Sequence, residues 1–291
     1  MHIKVSLRII GVLLMLFSVA MLPPLLTGLL AGDRSGDAFA IAFGTNILAG
    51  LALWLPTRGA RTDLRIRDGF LVTALFWIVL GIFGAVPFIA AKELNMSVAD
   101  AIFESISGLT TTGATVIVGL DNLPKSLLLY RQLLQWLGGI GIIVLAVAIL
   151  PMLGIGGMQL YRAESAGPSK DRKLTPRITG TAKALFIIYA GLTIACASAY
   201  WIAGMTAFDA VCHAFSTVAI GGFSTHDASM GYFDSSAILF ICTVFMVISA
   251  VNFGLHFIAL QRRSLDIYRH DSETSFFSAV IVLATIITCV T

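Results

Sequence analysis

Long stretches without Asp, Glu, Lys or Arg alternate with short polar ones along this chain. The charge-free runs are 9–30, 38–57, 70–91, 132–161, 184–208, 235–261 and 274–291. An α-helix needs about 20 apolar residues to cross about 30 Å of hydrocarbon. Each run is near or above that length, so each predicts a membrane-spanning helix. The first run follows Lys4 and Arg8 and could be read as a signal peptide. It is longer than the roughly 7–15 apolar residues of such a leader and no small-residue cleavage site follows, so it is expected to be a retained first helix.

Two stretches between the spans break this pattern and match each other at a constant offset of 109 residues. The first runs from Ser97 through Asp100, Ala101 and Ser107 to Thr110-Thr111-Thr112-Gly113-Ala114-Thr115. The second runs from Thr206 through Asp209, Ala210 and Ser216 to Ala219-Ile220-Gly221-Gly222-Phe223-Ser224. Internal repeats define an architecture and come before any other motif. Ser97-x-x-Asp100 and Thr206-x-x-Asp209 resemble capping boxes, which satisfy the orphan N–H groups of a helix start. Each predicts a short helix, over 98–108 and 207–217, too short to span the bilayer. A glycine-bearing segment of non-helical character follows, and a span flanks each copy on either side. The arrangement predicts re-entrant hairpins: a short helix dips in from outside and the chain returns extended. Non-helical backbone at that depth is tolerated where it lines a watery cavity. There its carbonyls can replace the hydration shell of a cation, and the negative helix end favours one. Gly113 and Gly222 permit the backbone angles that turn carbonyls to an axis. The alternative, an ordinary polar outer loop, does not account for two copies in register on one face.

Composition agrees with lipid as solvent: 57% hydrophobic, 12% charged, mean hydropathy +0.91, against roughly 25% charged in soluble domains. Charge also orients the chain. With the N-terminus in the cytoplasm, only Arg34, Lys92, Lys125 and Arg131 of the 19 basic residues fall outside, as the positive-inside rule requires. The net charge of +3 is therefore a topology signal and no sign of nucleic-acid binding. The longest basic loop, 162–183, is a candidate dock for a cytoplasmic partner.

Other residues carry less. Cys196, Cys212, Cys242 and Cys289 lack metal-ligand spacing and read as packing residues. Gly138, Gly139, Gly141, Gly154, Gly156 and Gly157 lie in one apolar span with no strand before them, so they read as close-packing glycines rather than a nucleotide loop, with a pore-facing kink near Pro151 as the alternative. Glu104 and His213 occupy equivalent places in the two short helices. Each is either a functional ionisable group or one held by local hydrogen bonds. Asn252 reads as an interhelical hydrogen-bonding residue, with an ion contact as the alternative, and His226 and Asp227 as residues of the outer mouth. No Ser–His–Asp, paired-carboxylate or metal-ligand arrangement stands out, so no enzyme is expected.

At Phe103-Glu104-Ser105, Gly108 to Thr115, Gln135-Trp136-Leu137-Gly138-Gly139, Gly157 to Arg162 and Ala219 to His226, the chain resembles the Trk, Ktr and HKT superfamily of K⁺ transporters, most closely the TrkH membrane subunits of bacterial Trk systems. The resemblance covers the whole chain. It implies an all-α membrane protein with two extra N-terminal helices (1–60), a first span–pore helix–span repeat (61–161), a basic cytoplasmic linker (162–183), a second repeat (184–261), and a loop leading into a third (262–291). Selectivity-filter segments would be Thr110–Ala114 and Ala219–Phe223. The backbone carbonyls of Thr110, Thr111, Thr112 and Gly113, with those of Ala219, Ile220, Gly221 and Gly222, would bind the ion, and K⁺ would sit at Thr111, Thr112, Ile220 and Gly221. In this family a filter glycine accompanies K⁺ preference, whereas a serine at the first one accompanies Na⁺ transport in some plant members, so Gly113 and Gly222 imply K⁺. The resemblance further implies K⁺ as the transported ion with no covalent cofactor, a bacterial inner-membrane location, a homodimer, and a nucleotide-binding cytoplasmic regulator of the TrkA type. The family pattern has four repeats. The chain stops at Thr291 inside a third, which leaves a fragment without transport as the alternative. A secondary transporter with broken helices would predict inverted repeats, whereas these two copies run parallel.

Overall fold

The computed structural model describes residues 3–33, 35–60, 66–141 and 178–290. Among them every regular element is helical, with no strand. The order is α1 (Ile3–Ser18), α2 (Leu22–Ala31), α3 (Gly36–Trp54), α4 (Ile66–Gly84), α5 (Val86–Ala90), α6 (Val98–Leu109), α7 (Lys125–Gly139), α8 (Ile178–Ile202), α9 (Ala207–Val218), α10 (Ser236–Ala250), α11 (Phe253–Arg262), α12 (Asp266–His270) and α13 (Ser272–Val290). The basic residues Arg61 and Arg65, Pro151, the Gly154–Gly157 group and most of the 162–183 linker lie outside the described residues.

Five stretches are long and apolar enough to cross a membrane: Ile3–Ala31, Gly36–Thr57, Leu71–Ala90, Lys183–Ile202 and Ser272–Cys289. The first two are the expected extra helices. Ile3–Ala31 carries a 3₁₀ turn at Val19–Met21 between α1 and α2. Pro23 and Pro24 have no N–H to offer the carbonyls of Val19 and Ala20, so the ladder changes pitch there. Pro87, in the first turn of α5 after the break at Ala85, acts in the same way.

The span expected over 235–261 is not one helix. α10 and α11 meet at a 90° bend. No proline causes it. Val251 is extended, and the Asn252 side chain accepts from the Gly254 N–H at 2.9 Å, so it caps a new helix. His256 Nε2 donates to the Ile248 carbonyl at 2.9 Å, a second bond beside that from the Val251 N–H at the end of α10. Local capping outweighs a hydrophobic run that reads as continuous.

Two buried clusters form the core. Ile10, Leu13, Leu14, Phe39, Phe88 and Leu134 join α1–α7. Ile140, Tyr189, Cys196, Tyr200, Ala214 and Ile238 join the second half. Helix α7 reaches both, because Trp136 packs on the second cluster while Tyr130 and Leu134 belong to the first. Cys196, Cys212 and Cys242 are buried free thiols, in keeping with packing.

Candidate functional site

Helices α6 and α9 each have 12 residues, about 18 Å at 1.5 Å per residue, well short of a bilayer core. Both begin as their sequences predict. The Ser97 side chain accepts from the Asp100 N–H at 3.2 Å, and Thr206 from the Asp209 N–H at 3.1 Å. The carboxylates do not reach back to the cap N–H as in a full capping box. They accept instead from the capping hydroxyls, at 2.7 and 2.6 Å. Asp100 and Asp209 also complement the positive ends of their helices.

The two return segments have one conformation written twice. Thr111 and Ile220 both have φ +55°, and Gly113 and Gly222 have φ +77° and +85°. Positive φ thus recurs at alternate residues, and the segments are not β-strands. Their N–H groups turn back onto the preceding helix. Thr111 donates to the Gly108 carbonyl (3.0 Å) and Thr112 to that of Ser107 (2.9 Å). Ile220 donates to Thr217 (3.1 Å) and Gly221 to Ser216 (2.8 Å). The carbonyls of 110–113 and 219–222 accept no hydrogen bond among the described residues. Thr110, Thr112, Ile220 and Gly222 are exposed, so these eight oxygens at two helix C-termini stand open to a partner from outside the helices. The segment of Thr110, Thr111, Thr112 and Gly113 meets that of Ala219, Ile220, Gly221 and Gly222 at Gly113, which lies against Gly221 and Gly222. The contact is so close that a Cβ on Gly113 would overlap the Gly221 carbonyl oxygen.

Glu104 and His213 prove to be clamps. Thr115 Oγ1 donates to Glu104 (2.9 Å), and the Val116 N–H does too (3.1 Å). His213 Nδ1 donates to the Asp209 carbonyl (2.9 Å), which leaves Nε2 to pair with the Ser224 hydroxyl (2.9 Å). Thr115 and Ser224 are repeat equivalents, so each of the two short helices holds the far end of its own return segment. Arg131, which the charge count places in an outer loop, lies inside α7 and is fully buried. Its Nε donates to Glu104 (2.8 Å), its Nη2 to Thr115 Oγ1 (3.0 Å) and its Nη1 to the Ser224 carbonyl (3.0 Å), with the guanidinium 4.3 Å from the Phe223 ring centre. One cation therefore ties both segments together. Only its place at the end of a charge-free run hinted at this in the sequence.

Gly138 and Gly139 of α7, and Gly141 just beyond it, pack closely as expected. Gly138 leaves room for the Leu109 carbonyl, Gly139 sits against Ala219, and Gly141 against Trp77. Beyond the segments, the loops that follow them meet at His226. Its Nδ1 pairs with Asp121, its ring stacks on Tyr232, and its Nε2 lies 3.4 Å from Asp209 without hydrogen-bond geometry. The Gly119 N–H donates to Asp227 (2.9 Å) and the Asp227 N–H to Asp121 (3.4 Å). The hydrogen bond from His226 is the main cause that holds the Asp121 carboxyl below its usual 3.8. A depressed carboxylate contributes stability that is present above its unfolded pKa and lost as pH falls through the folded one. Hydrogen exchange at the Asp227 N–H should accordingly quicken in Asp121→Asn and, in the unmodified protein, only below about pH 4. Equal exchange rates in the two proteins at neutral pH would refute this link.

Residues 35–290 match the TrkH family of cation transport proteins. Over 290 residues, 58% are identical to the Trk system potassium uptake protein TrkH of Halomonas elongata, covering 100% of this chain and 60% of that protein. The Escherichia coli K12 TrkH is 56% identical over 280 residues, covering 96% and 58%. The crystal structure of the potassium transporter TrkH from Vibrio parahaemolyticus superposes with a TM-score of 0.86 at 55% identity, over 99% of this chain and 58% of that one. The chain spans no more than 60% of the length of these relatives.

Proposed function

The chain belongs to the TrkH family of cation transport proteins, and on that premise we propose that it supplies two of the ion-coordinating segments of a K⁺ uptake pathway. The free carbonyls of Thr110–Gly113 and Ala219–Gly222 carry this reading. They lie on paired segments at the negative ends of α6 and α9, with the N–H groups of Thr110–Gly113 and Ala219–Gly221 already bonded to the preceding helix. Carbonyls so arranged replace water around a dehydrated cation, and K⁺ resides at Thr111, Thr112, Ile220 and Gly221. Gly113 and Gly222 are the basis for K⁺ over Na⁺.

The full-length protein works as a homodimer in a bacterial inner membrane, with its N-terminus in the cytoplasm. A TrkA-type nucleotide-binding regulator docks on the basic 162–183 and 262–270 stretches. Arg262, Arg263 and Arg269 support the second stretch, since they cluster where α11 leads into α12. Two measurements test the proposal. Expression of the full-length gene should restore growth of a K⁺-uptake-deficient bacterium at low K⁺, and the purified protein should carry Rb⁺ far faster than Na⁺ into liposomes. Equal Rb⁺ and Na⁺ flux would refute the K⁺ assignment. Undiminished co-purification of the regulator after charge reversal across both basic stretches would remove them as the dock.

A further inference from the structure

The two return segments share a backbone but not a brace. In the first, the Thr112 hydroxyl donates to the Thr110 hydroxyl (2.8 Å), which donates to the Ile106 carbonyl (2.7 Å). The Ser107 hydroxyl donates to the Ala114 carbonyl. The first segment is thus laced to its own pore helix by three side chains of its own repeat. The second has Ala219 where the first has Thr110 and Gly221 where it has Thr112, so the hydroxyl relay is missing. A residue from the other repeat stands there instead. Gln135 of α7 is fully buried, and its Oε1 accepts the Phe223 N–H at 3.1 Å. Its carboxamide lies flat on Gly221, in the space a Cβ on that residue would need.

We propose that Gln135 is a positioning residue that sets the carbonyls of the second segment, and through them the preference for K⁺. This rests on the filter reading above. The physical case is that Phe223 ends the segment, and its N–H is held by Gln135 and not by α9, whereas those of Ala219, Ile220 and Gly221 return to α9. Without an acceptor, a buried N–H seeks another, and the peptide planes before it rotate. Because Gln135 sits on α7, between Arg131 below Ser224 and Gly139 against Ala219, displacement of α7 moves the second segment. The first segment keeps its own lacing.

The test uses the full-length protein in K⁺-uptake-deficient cells and in liposomes. Gln135→Met keeps the length and removes the acceptor. It should raise the KM for K⁺ about tenfold, the effect of one lost buried hydrogen bond, and lower the Rb⁺/Na⁺ flux ratio. Gln135→Glu keeps an oxygen at the same place and should stay within about threefold of the parent. Gln132 provides the control, since it is equally buried but its amide has no partner among the described residues; Gln132→Leu should leave both readouts unchanged. Parental KM and ion ratio in Gln135→Met would overturn the proposal, as would equal losses in the Met and Glu variants, which would mean packing alone. If Gln135→Met fails to accumulate, hydrogen exchange decides: the Phe223 amide should be protected in the parent and in Gln135→Glu, and fast exchange in the parent overturns the proposal. Gly222→Ser separates the two readings. If it alters the ion ratio and Gln135→Met does not, only the role of Gln135 fails; if neither alters it, the filter reading fails.

Discussion

Gly113→Ser is expected to abolish K⁺ preference and most K⁺ uptake in the full-length protein, and Gly222→Ser to weaken them less. The two positions are repeat equivalents with similar φ, so identical effects would follow if backbone freedom alone mattered. It is not the whole cost, because Thr111 and Ile220 tolerate positive φ with side chains. The difference lies in the space around each glycine. A Cβ at Gly113 runs into the Gly221 carbonyl oxygen, whereas one at Gly222 meets nothing within 4 Å. Serine at 113 therefore displaces a proposed ion ligand of the other segment as well as straining its own. For Gly222→Ser the left-handed penalty of roughly 1–2 kcal/mol remains, about a tenfold loss of K⁺ over Na⁺. Rb⁺ and Na⁺ flux measured side by side checks the order. A milder defect at 113 than at 222 would count against contact between the two segments.

Arg131→Met is expected to be the most destabilising single change in the described residues. It leaves Glu104 buried without its counter-charge and strips donors from Thr115 and the Ser224 carbonyl. Breaking a buried pair from one side costs about 3–5 kcal/mol, and removal of both partners costs less than the two single changes together. Arg131→Met with Glu104→Met should accordingly be more stable than the sum predicts. It should still fall short of the parent, because the Val116 N–H and the Ser224 carbonyl lose their partners. Arg131→Lys should not rescue, since one ammonium cannot hold three acceptors in a planar fork. Thermal unfolding of the purified full-length variants measures all four. Additive losses in the double variant would show that Arg131 and Glu104 act independently.

Much of this site was legible because it is local and repeated. A capping hydroxyl and an aspartate three residues on start α6 and α9. The constant offset aligned Glu104 with His213 and Thr115 with Ser224 before any contact was known. What those side chains do was not legible. Glutamate and histidine share no chemistry at the level of sequence, yet each clamps the residue that ends its own return segment. The role of Arg131 was hidden for a related reason: a lone cation at the edge of an apolar run has the same sequence pattern whether it meets lipid headgroups or a buried carboxylate 27 positions away.

By itself the sequence determined the all-helical membrane character, the short repeated helices and the glycines of the return segments. All depend on interactions within a few residues or on solvent preference along a run. Tertiary structure decided what joins the segments: Arg131 across both, Gln135 behind the second, and His226 with Asp121 between the loops that follow them. It also decided the 90° break after α10, where the caps Asn252 and His256 outweigh a hydrophobic pattern that would continue. Hydropathy records which residues avoid water, whereas a buried hydrogen bond depends on which distant partner the fold brings within 3 Å, and no pattern along the chain encodes that distance.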